Sequence, residues 1–325
     1  MAERRKIALE EHFLDPDQDP YFRMLAGPHD HFGSAAMTAV MAQLTDVDAA
    51  RLADMDALGI EVAILSYYNG SSPQLDLDSA RAVMMAQRMN DFLAERISAH
   101  PDRFMGWATL AMQDVPASIA ELRRCMTLPG FAGALINGQT QGDYLDLPKF
   151  LPFWEAVAAL DVPIYLHPGV LTAEAAKAYE GHPGLAGPGW GWGADTGLHA
   201  LRLIFSGLFD RFPNLTLILG HMGELIPFHL DRVDQMWTQM HATTPKRPIS
   251  HYVARNMMVT TSGNVSAVSL IGTTLAIGAD RILYATDYPL ALAEKFTAAV
   301  ENSPLSDADR DKIFHGNARK LFRLS

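Results

Sequence analysis

The segment PKFLPFWEAVAALDVPIYLHP, residues 148–168, contains the unit whose repetition decides the fold. Apolar residues at helical spacing follow a helix-starting proline, which predicts a helix over Pro148 to Leu160. After a turn at Asp161, the short apolar run Val162 to His167 predicts a buried strand. The unit is therefore a helix, a strand and then a polar residue at the end of the strand.

The same alternation of strand and helix runs along the whole chain. Eight short apolar runs are bounded by turn or cap residues and separated by segments with helical periodicity. The predicted strands are Lys6 to His12, Glu61 to Ser66, Phe104 to Leu110, Phe131 to Asn137, Val162 to His167, Leu215 to His221, Asn256 to Ser262, and Arg281 to Asp287. The predicted helices are Asp46 to Leu58, Asp78 to Ala99, Pro116 to Met126, Pro148 to Leu160, Asp195 to Phe212, Gly223 to Met240, Val265 to Ile277, Leu290 to Ala299, and a closing helix, Asp307 to Phe322.

Eight such alternations predict an α/β fold of the (β/α)8 TIM barrel type. The alternative is a doubly wound open sheet, which usually has fewer strands. The chain contains no linker, internal repeat or low-complexity tract, so we expect a single domain over residues 1–325. Two irregular stretches, Phe13 to Thr45 and Pro168 to Ala194, are either functional lids or surface loops held by aromatic packing.

Composition excludes several classes of protein. The 325 residues include 37 acidic and 26 basic side chains, and no basic run exceeds three residues, which argues against a nucleic-acid partner. The one cysteine, Cys125, cannot form an internal disulfide or a thiolate metal site, and we expect it to be buried and inert. With no apolar run long enough for a membrane span and no signal peptide, we expect a soluble cytoplasmic protein without a membrane partner.

Polar side chains end several of the predicted strands, where the catalytic groups of a barrel lie. Glu10 and His12 end the first strand, His167 the fifth and Asp287 the eighth. Alternation along a strand directs Glu10 and His12 inward together and Glu11 toward the helices. Two imidazoles and two carboxylates suit one Zn²⁺ or Mn²⁺ ion better than Mg²⁺, which prefers oxygen ligands. A lone strand-end histidine is more often a core group, but burying four such groups together without a cation is costly.

A second polar pair follows the sixth predicted strand, in Gly-His-Met-Gly-Glu at residues 220–224. We expect His221 and Glu224 to begin the next helix, one turn apart, where a carboxylate orients an imidazole and raises its basicity. Alternatively, Glu224 satisfies backbone donors at the helix start. No nucleophile elbow or nucleotide-binding fingerprint is present, which leaves a metal-assisted reaction on a small molecule.

Motifs throughout the chain carry a resemblance to a known family. They include Ala8-Leu9-Glu10-Glu11-His12-Phe13, Pro101-Asp102-Arg103-Phe104, the run from Leu160 to Pro168, His199-Ala200-Leu201-Arg202-Leu203, Ser206-Gly207-Leu208-Phe209-Asp210, Gly220-His221-Met222-Gly223-Glu224, Thr261-Ser262-Gly263-Asn264, Thr286-Asp287-Tyr288-Pro289 and Gly316-Asn317-Ala318-Arg319. The sequence resembles the amidohydrolase superfamily, and within it the non-oxidative aromatic acid decarboxylases typified by γ-resorcylate and 2,3-dihydroxybenzoate decarboxylases.

The resemblance implies a (β/α)8 barrel with one divalent metal, usually zinc or manganese. By matching positions it makes Glu10, His12, His167 and Asp287 the ligands, and it makes His221 and Glu224 a polar pair that faces the substrate. The implied substrate is a hydroxybenzoate, held at the metal through its carboxylate and ortho hydroxyl. The implied reaction is protonation of the ring carbon, most plausibly by Asp287, followed by loss of CO2.

Aromatic residues near the predicted site are candidate walls of a substrate pocket: Phe13, Tyr21, Phe22, Trp190 and Tyr288. Each is individually more typical of packing than of stacking on a substrate ring. Arg232, on the helix after His221, is either a surface ion-pair partner or a carboxylate-binding residue that acts across a subunit interface. Because relatives are oligomeric, the resemblance implies a homo-oligomer, either a dimer or a tetramer.

Two loops depart from the family pattern. The second strand is followed by Tyr67-Tyr68-Asn69-Gly70-Ser71-Ser72-Pro73-Gln74 instead of a Pro-Gly-Val-Gln-like segment, and Gly169-Val170-Leu171 stands where relatives often carry an arginine. Both loops border the expected pocket, so an alternative reaction is open: hydrolysis or hydration by a metal-bound water that His221 or Asp287 activates. A third alternative is a barrel that binds metal or ligand without turnover.

Overall fold

The computed structural model of the protein describes residues 5–26, 35–240 and 243–324, without the side chains of residues 19, 22, 26 and 35–37. Its centre is one parallel sheet whose strands pair in chain order. The strands are β1 (Lys6–Phe13), β2 (Ile60–Tyr67), β3 (Phe104–Thr109), β4 (Phe131–Asn137), β5 (Ile164–His167), β6 (Leu217–Leu219), β7 (Met257–Thr260) and β8 (Ile282–Leu283).

Backbone hydrogen bonds join the first strand to the last and close the sheet into a barrel. The Leu9 N–H donates to the Tyr284 carbonyl at 3.1 Å, and the Asp287 N–H donates to the Glu10 carbonyl at 3.0 Å. The His12 N–H donates to the Tyr288 carbonyl at 2.7 Å. The predicted (β/α)8 barrel is confirmed, since a doubly wound sheet has open edges and a different strand order.

Helices surround the barrel and connect its strands. In the described residues the α-helices are α1 (Asp19–Ala26), α2 (Ala35–Thr45), α3 (Ala49–Leu58), α4 (Ser79–Ala99), α5 (Val115–Cys125), α6 (Leu151–Leu160), α7 (Ala173–Ala176), α8 (Gly191–Phe205), α9 (Leu208–Arg211), α10 (Ile226–Gln239), α11 (Ile249–Asn256), α12 (Ala267–Ile277), α13 (Ala293–Glu301), α14 (Asp307–Asp311) and α15 (Asn317–Phe322). Shorter 3-10 turns lie at Pro16–Gln18, Asn69–Ser71, Pro73–Leu75, Pro148–Phe150, Lys177–Tyr179, Pro183–Leu185 and Ala279–Arg281, and a π-helix lies at Lys312–Gly316.

Several predicted element boundaries were wrong. The irregular stretch Phe13 to Thr45 contains α1 and α2, although residues 27–34 lie outside the described part of the chain. The predicted helix Asp195 to Phe212 begins earlier, at Gly191, and breaks near Gly207, whose φ of 79° ends the helical backbone. The closing helix is divided by the π-helix between α14 and α15.

The barrel has an interior core and an outer core. Ile7, Leu9, Trp107, Tyr165 and other inward residues fill the interior, and the outer core packs the strands against the helices. The C-terminal residues Ala318, Leu321 and Phe322 join the interior core. Cys125 is buried in the outer core, as predicted. None of the described helices is both long enough and apolar enough to cross a membrane.

Candidate metal centre

The carboxyl-terminal ends of β1 and β5 and the segment after β8 bring the four predicted ligands together. One side-chain donor atom from each of Glu10, His12, His167 and Asp287 lies within 4.8 Å of the others. Glu10 and His12 share the inward face of β1, as alternation along the strand requires. Three of the ligands are buried, and only the Asp287 side chain, 17% exposed, is reachable from the open end of the barrel.

The Glu10 carboxylate is held in one orientation by three hydroxyl groups. Oε2 accepts hydrogen bonds from Tyr165, Ser262 and Thr260, the last at 3.3 Å, while Oε1 lies 3.2 Å from His167 Nε2. Burial alone favours the neutral acid, but the charge of His221 holds the pKa of Glu10 well below its ordinary range. Glu10 is therefore ionised, and its Oε1 faces the centre of the candidate site.

Each of the two histidine ligands has its distal ring nitrogen occupied. His167 Nδ1 lies 2.8 Å from the Pro168 carbonyl, which only accepts, so Nδ1 carries the proton. His12 Nδ1 lies 3.0 Å from the hydroxyl of Ser66, its partner residue on β2. The His167 contact leaves the Nε2 lone pair directed at the centre, as a metal ligand requires, and the Ser66 contact orients the His12 ring.

Two unpaired atoms test whether this group fits a cation. Glu10 Oε1 and His12 Nε2 are fully buried and make no hydrogen bond of acceptable geometry within the described residues, although His167, His221 and Asp287 lie close to them. His12 Nε2 lies 3.2 Å from Asp287 Oδ1, so imidazole and carboxylate donors converge in pairs on one point. Unpaired buried polar atoms are rare because each costs free energy. A divalent cation bound by these four residues satisfies both atoms, so the residues fit the metal.

His221 and Glu224 lie beside this centre, but the helix predicted to carry them begins only at Ile226. His221, Met222, Glu224 and Leu225 all have positive φ, between 49° and 70°, so they form a left-handed turn after β6. Left-handed non-glycine residues are strained and recur at functional sites. The expected placement of His221 and Glu224 within the first helical turn was therefore wrong, although their side chains do meet.

The turn directs His221 at the metal centre. His221 Nδ1 lies 2.6 Å from Glu224 Oε1, and its Nε2 lies 3.3 Å from Glu10 Oε1. Burial favours the neutral imidazole, but Glu224 and Glu10 hold the pKa of His221 well above its ordinary value. Glu224 is thus paired with an imidazole instead of backbone donors.

Glu11, between two inward residues, faces the helices as predicted. Its carboxyl group accepts hydrogen bonds from the Thr286 N–H at 3.0 Å and the Thr286 hydroxyl at 2.7 Å. Burial raises the pKa of Glu11 to about 8, against the opposing effect of Thr286 and Arg51. The two neighbouring glutamates therefore differ in charge at neutral pH because they face opposite sides of one strand.

Two of the predicted pocket walls belong to the packing around the barrel instead. Phe13 is fully buried, with its ring centroid 5.5 Å from that of Tyr67 and 5.8 Å from that of Phe92. Alternation places Phe13 on the same face as Glu11, away from the metal ligands. The Tyr288 ring lies 4.8 Å beneath the Arg51 guanidinium, and its hydroxyl donates to Asp54 at 2.6 Å. These contacts argue against Phe13 and Tyr288 as walls of the substrate pocket.

The other predicted substrate residues have varied positions. Tyr21 packs into the outer core from α1, which lies against the Asn69–Ser71 turn. Trp190 is half exposed and precedes α8. The side chain of Phe22 lies outside the described residues. Arg232 is exposed on α10 and makes no ion pair among the described residues, so the structure does not bear out the surface ion pair.

The sequence assigned no role to the hydroxyl residues that support the ligands. Ser66 on β2, Tyr165 on β5, and Thr260 and Ser262 at the end of β7 orient His12 and Glu10 from three different strands. A signal existed, since Tyr165 is two residues before His167 and Thr260 is two before Ser262, and such pairs share a strand face. The contacts of Tyr165 and Ser262 with Glu10 span 155 and 252 residues of the chain, so they form only when the barrel closes.

The chain is similar to known proteins over nearly its whole length. Residues 16–324 match the amidohydrolase family model. The γ-resorcylate decarboxylase of Polaromonas sp. (strain JS666) is 43% identical over 332 residues, covering 98% of this chain and 99% of that protein. A crystal structure of 2,6-dihydroxybenzoate decarboxylase complexed with 2,6-dihydroxybenzoate has a TM-score of 0.92 at 41% identity, covering 99% of this chain and 100% of that one.

A further solved structure contains a metal. It is a dihydroxybenzoic acid decarboxylase from Polaromonas sp. JS666 with bound manganese and the inhibitor 2-nitroresorcinol. Its TM-score is 0.90 at 43% identity, and the match covers 99% of this chain and 97% of that one. With its barrel, its convergent ligands and these full-length matches, the chain belongs to the amidohydrolase family.

Proposed function

We propose that this protein is a metal-dependent decarboxylase of a hydroxylated aromatic acid, a carboxy-lyase that uses no redox cofactor. The observation that carries the proposal is the convergence of Glu10, His12, His167 and Asp287 beside the His221–Glu224 pair. Full-length similarity to enzymes named γ-resorcylate and 2,6-dihydroxybenzoate decarboxylases supports this choice over other reactions of the family.

The ligand set of two imidazoles and two carboxylates suits Mn²⁺ or Zn²⁺. The manganese in a relative supports Mn²⁺ as the first metal to test. When bound by these residues, the ion would act as a Lewis acid toward the carboxylate and ortho oxygen of the substrate. Metal analysis of the purified protein, and turnover after reconstitution of the metal-free protein with each ion, test this assignment.

Asp287 is the proposed acid. Of the four ligands it alone is partly exposed, so it is the one that a substrate ring at the open end of the barrel reaches. The protonated Asp287 carboxyl gives its proton to the ring carbon that bears the carboxyl group, and the resulting carboxylate takes up a proton from solvent before the next turnover. The bond from that carbon to the carboxylate then breaks, its electron pair restores the aromatic ring, and CO2 leaves.

The His221–Glu224 pair is proposed to bind and orient the substrate. Glu224 stabilises the protonated imidazole, and His221 Nε2 is directed at the metal centre. A cationic donor at this position pairs with a substrate oxygen and fixes the ring relative to Asp287. The charges of Glu224 and His221 thus contribute orientation, while Asp287 transfers the proton.

The test is incubation of the metal-loaded protein with a panel of dihydroxybenzoates in D2O. We expect release of CO2 and one deuterium at the vacated ring carbon, and we expect Asp287→Asn to abolish both. Asp54→Asn is the matched control. Asp54 accepts a hydrogen bond from Tyr288, the residue after Asp287, on the side of this loop that faces the helices. No CO2 release, and no reverse carboxylation, with any panel member would refute the proposal. Incorporation of solvent oxygen into a product would indicate hydrolysis or hydration instead.

We also propose that a second copy of the chain covers an apolar groove between α8 and α10. The groove has a volume of about 670 Å³, and Leu198, Phe205, Met236 and Met240 expose between 36% and 79% of their surface there. Glu224 and Arg232 line the same groove, so a partner seated in it lies next to the candidate site. Apolar surface of this kind is typical of protein interfaces.

The oligomeric state tests this interface. Light scattering after gel filtration is expected to give a dimer or a tetramer, and Leu198→Glu is expected to shift it toward the monomer. Leu275→Glu is the control, since Leu275 is 83% exposed on α12 and does not line the groove. A monomeric wild-type protein, or equal dissociation by both variants, would contradict the proposal.

A further inference from the structure

The barrel has a second cavity at the end opposite the metal centre. It has a volume of about 550 Å³ and is lined by residues that precede β5, β6 and β8 and by residues of α15. Because the strands are parallel, these residues lie at the amino-terminal end of the barrel, whereas the metal ligands lie at the carboxyl-terminal end. We call this cavity the basal pocket; it shares no residue with the candidate metal centre.

The basal pocket is positively charged in an acidic protein. Its lining contains four cations, Arg211, Arg281, Lys320 and Arg323, and two carboxylates, Asp161 and Asp280. The whole chain has a formal charge of −11, so the excess of cations in this pocket is opposite in sign to the net charge of the protein. A concave site with an excess of one sign of charge concentrates ions of the opposite sign.

The two carboxylates of the basal pocket are already neutralised. Asp161 pairs with Arg323 at 2.7 Å, and Asp280 pairs with Lys312 at 3.3 Å. The side chains of Arg281 and Lys320, by contrast, form neither a hydrogen bond nor an ion pair within the described residues. Arg281 is only partly exposed, and its burial lowers the pKa of the guanidinium. The charge of Asp280 opposes this effect, but Lys312 already pairs with Asp280, so an anion would offset the desolvation cost of the half-buried guanidinium.

Part of the lining of the basal pocket is apolar. Met258 and Leu321 line it and belong to the interior core of the barrel, and Phe212 lines it from the turn before β6. An inorganic ion leaves this wall unused, while a ligand with an apolar body buries it. Charge and shape together therefore describe an amphipathic anion.

We propose that the basal pocket binds a small organic anion that carries two negative charges on an apolar body, with Arg281 and Lys320 as the groups that pair with those charges. The aryl phosphates are the simplest members of this class. Arg281 supplies planar, paired donors that match a phosphate or carboxylate, and Lys320 supplies a second point charge.

Calorimetric titration of the metal-loaded protein with phenyl phosphate tests the proposal. We expect one binding site that Arg281→Gln weakens about tenfold or more, because a charge-assisted hydrogen bond is lost, and that Lys320→Gln weakens less. Arg88→Gln is the matched control, since Arg88 is an exposed arginine on α4 far along the chain from the pocket. Inorganic phosphate is expected to bind more weakly than phenyl phosphate, and the neutral analogue benzyl alcohol is expected not to bind.

The outcome is independent of catalysis, because no residue of the basal pocket takes part in the metal centre. Equal affinity of the wild type, Arg281→Gln and Arg88→Gln proteins for phenyl phosphate would place binding elsewhere and overturn the proposal. Absence of binding to the wild type at millimolar phenyl phosphate would overturn it as well. If Arg281→Gln loses phenyl phosphate binding but decarboxylates at the wild-type rate, anion binding in the basal pocket is independent of the reaction at the metal centre.

Discussion

At the scale of single residues, the centre depends on groups that orient the ligands as much as on the ligands themselves. His167 is held by a backbone carbonyl, whereas His12 is held by one serine hydroxyl. Glu10 is held by three hydroxyl groups at once. The His12 ligand is therefore the one whose orientation a single conservative substitution releases.

Ser66→Ala is expected to weaken metal binding about tenfold, because the partner of a ligating histidine fixes its ring orientation. Metal affinity measured by competition with a chelating dye checks this result. Ser118→Ala is the matched control, since the Ser118 hydroxyl donates to the Ala111 carbonyl at 2.8 Å on α5. Unchanged affinity in Ser66→Ala would mean that Ser66 does not position His12.

Gly263→Ala is expected to reduce turnover about 100-fold while metal content stays unchanged. A Cβ at Gly263, whose φ is 62°, would lie 2.3 Å from His221 Cδ2 and displace the imidazole. A shift of about 1 Å in a group that orients the substrate is enough to reduce turnover about 100-fold. Parallel measurement of kcat and bound metal checks it, with Gly187→Ala as the control because its Cβ meets nothing within 4 Å. Wild-type turnover in Gly263→Ala would contradict the role assigned to His221.

At the scale of elements, helix α8 is tied to the segment between β4 and α6 through a buried histidine. His199 Nε2 accepts a hydrogen bond from the Leu145 N–H at 2.8 Å, and its ring lies edge-on to Tyr144 at 4.9 Å. Burial, with a contribution from Arg202, lowers the pKa of His199 to about 3. The folded protein keeps His199 neutral. A protonated ring could no longer accept the Leu145 hydrogen bond, and burying its charge would cost free energy.

This histidine makes stability depend on pH in a defined direction. As pH falls below the ordinary histidine pKa of about 6.5, the unfolded chain takes up a proton that folded His199 refuses until about pH 3. The free energy of unfolding therefore falls with pH in this window, by up to about 1.4 kcal/mol per pH unit. His199→Gln is expected to lack this component while keeping an acceptor for Leu145. Urea unfolding at pH 7 and pH 5 measures the difference.

The matched control for this experiment is His182→Gln, because His182 is exposed. We expect its pH dependence to equal that of the wild type. A His199→Gln protein that loses the same stability between pH 7 and pH 5 as the wild type would refute the assignment.

The turn after β6 is the clearest disagreement between predicted and observed elements. Apolar periodicity predicted a strand through His221 and a helix from Gly223, but β6 ends at Leu219 and α10 begins at Ile226. The turn is attached to β7 instead, because the Met222 N–H donates a hydrogen bond to the Thr260 carbonyl at 2.8 Å. Periodicity reports which residues are apolar and carries no information about a left-handed backbone.

At the scale of the whole molecule, we expect metal binding and folding to be coupled, because the four candidate ligands meet only in the closed barrel. Glu10 and Asp287 are 277 positions apart in the chain, and backbone contacts between β1 and the segment after β8 hold them together. A ligand that binds only the folded state raises its stability in proportion to its free concentration.

We therefore expect Mn²⁺ at 100 times its dissociation constant to stabilise the metal-free protein by about 2.7 kcal/mol. Differential scanning calorimetry with and without metal measures the shift in Tm. Glu10→Gln is expected to abolish the metal-induced shift, and Glu11→Gln, the adjacent residue on the opposite face, is expected to keep it. A shift that persists in Glu10→Gln would exclude Glu10 as a ligand.

The sequence by itself determined the barrel and the four converging side chains. Strand and helix periodicity are local properties, and parallel strands necessarily place their carboxyl ends together, so strand-end residues such as Glu10 and His167 were predictable. Alternation also predicted that Glu11 faces away from the centre.

Only the tertiary structure decided how these residues are supported and which others join them. The hydroxyls on Glu10, the left-handed turn that aims His221, and the packing of Phe13 and Tyr288 outside the barrel all arise from contacts between distant segments. The basal pocket likewise exists only where α15 meets the turns before β5, β6 and β8. Such contacts depend on barrel closure and on neighbours far along the chain, which no local pattern of residues encodes.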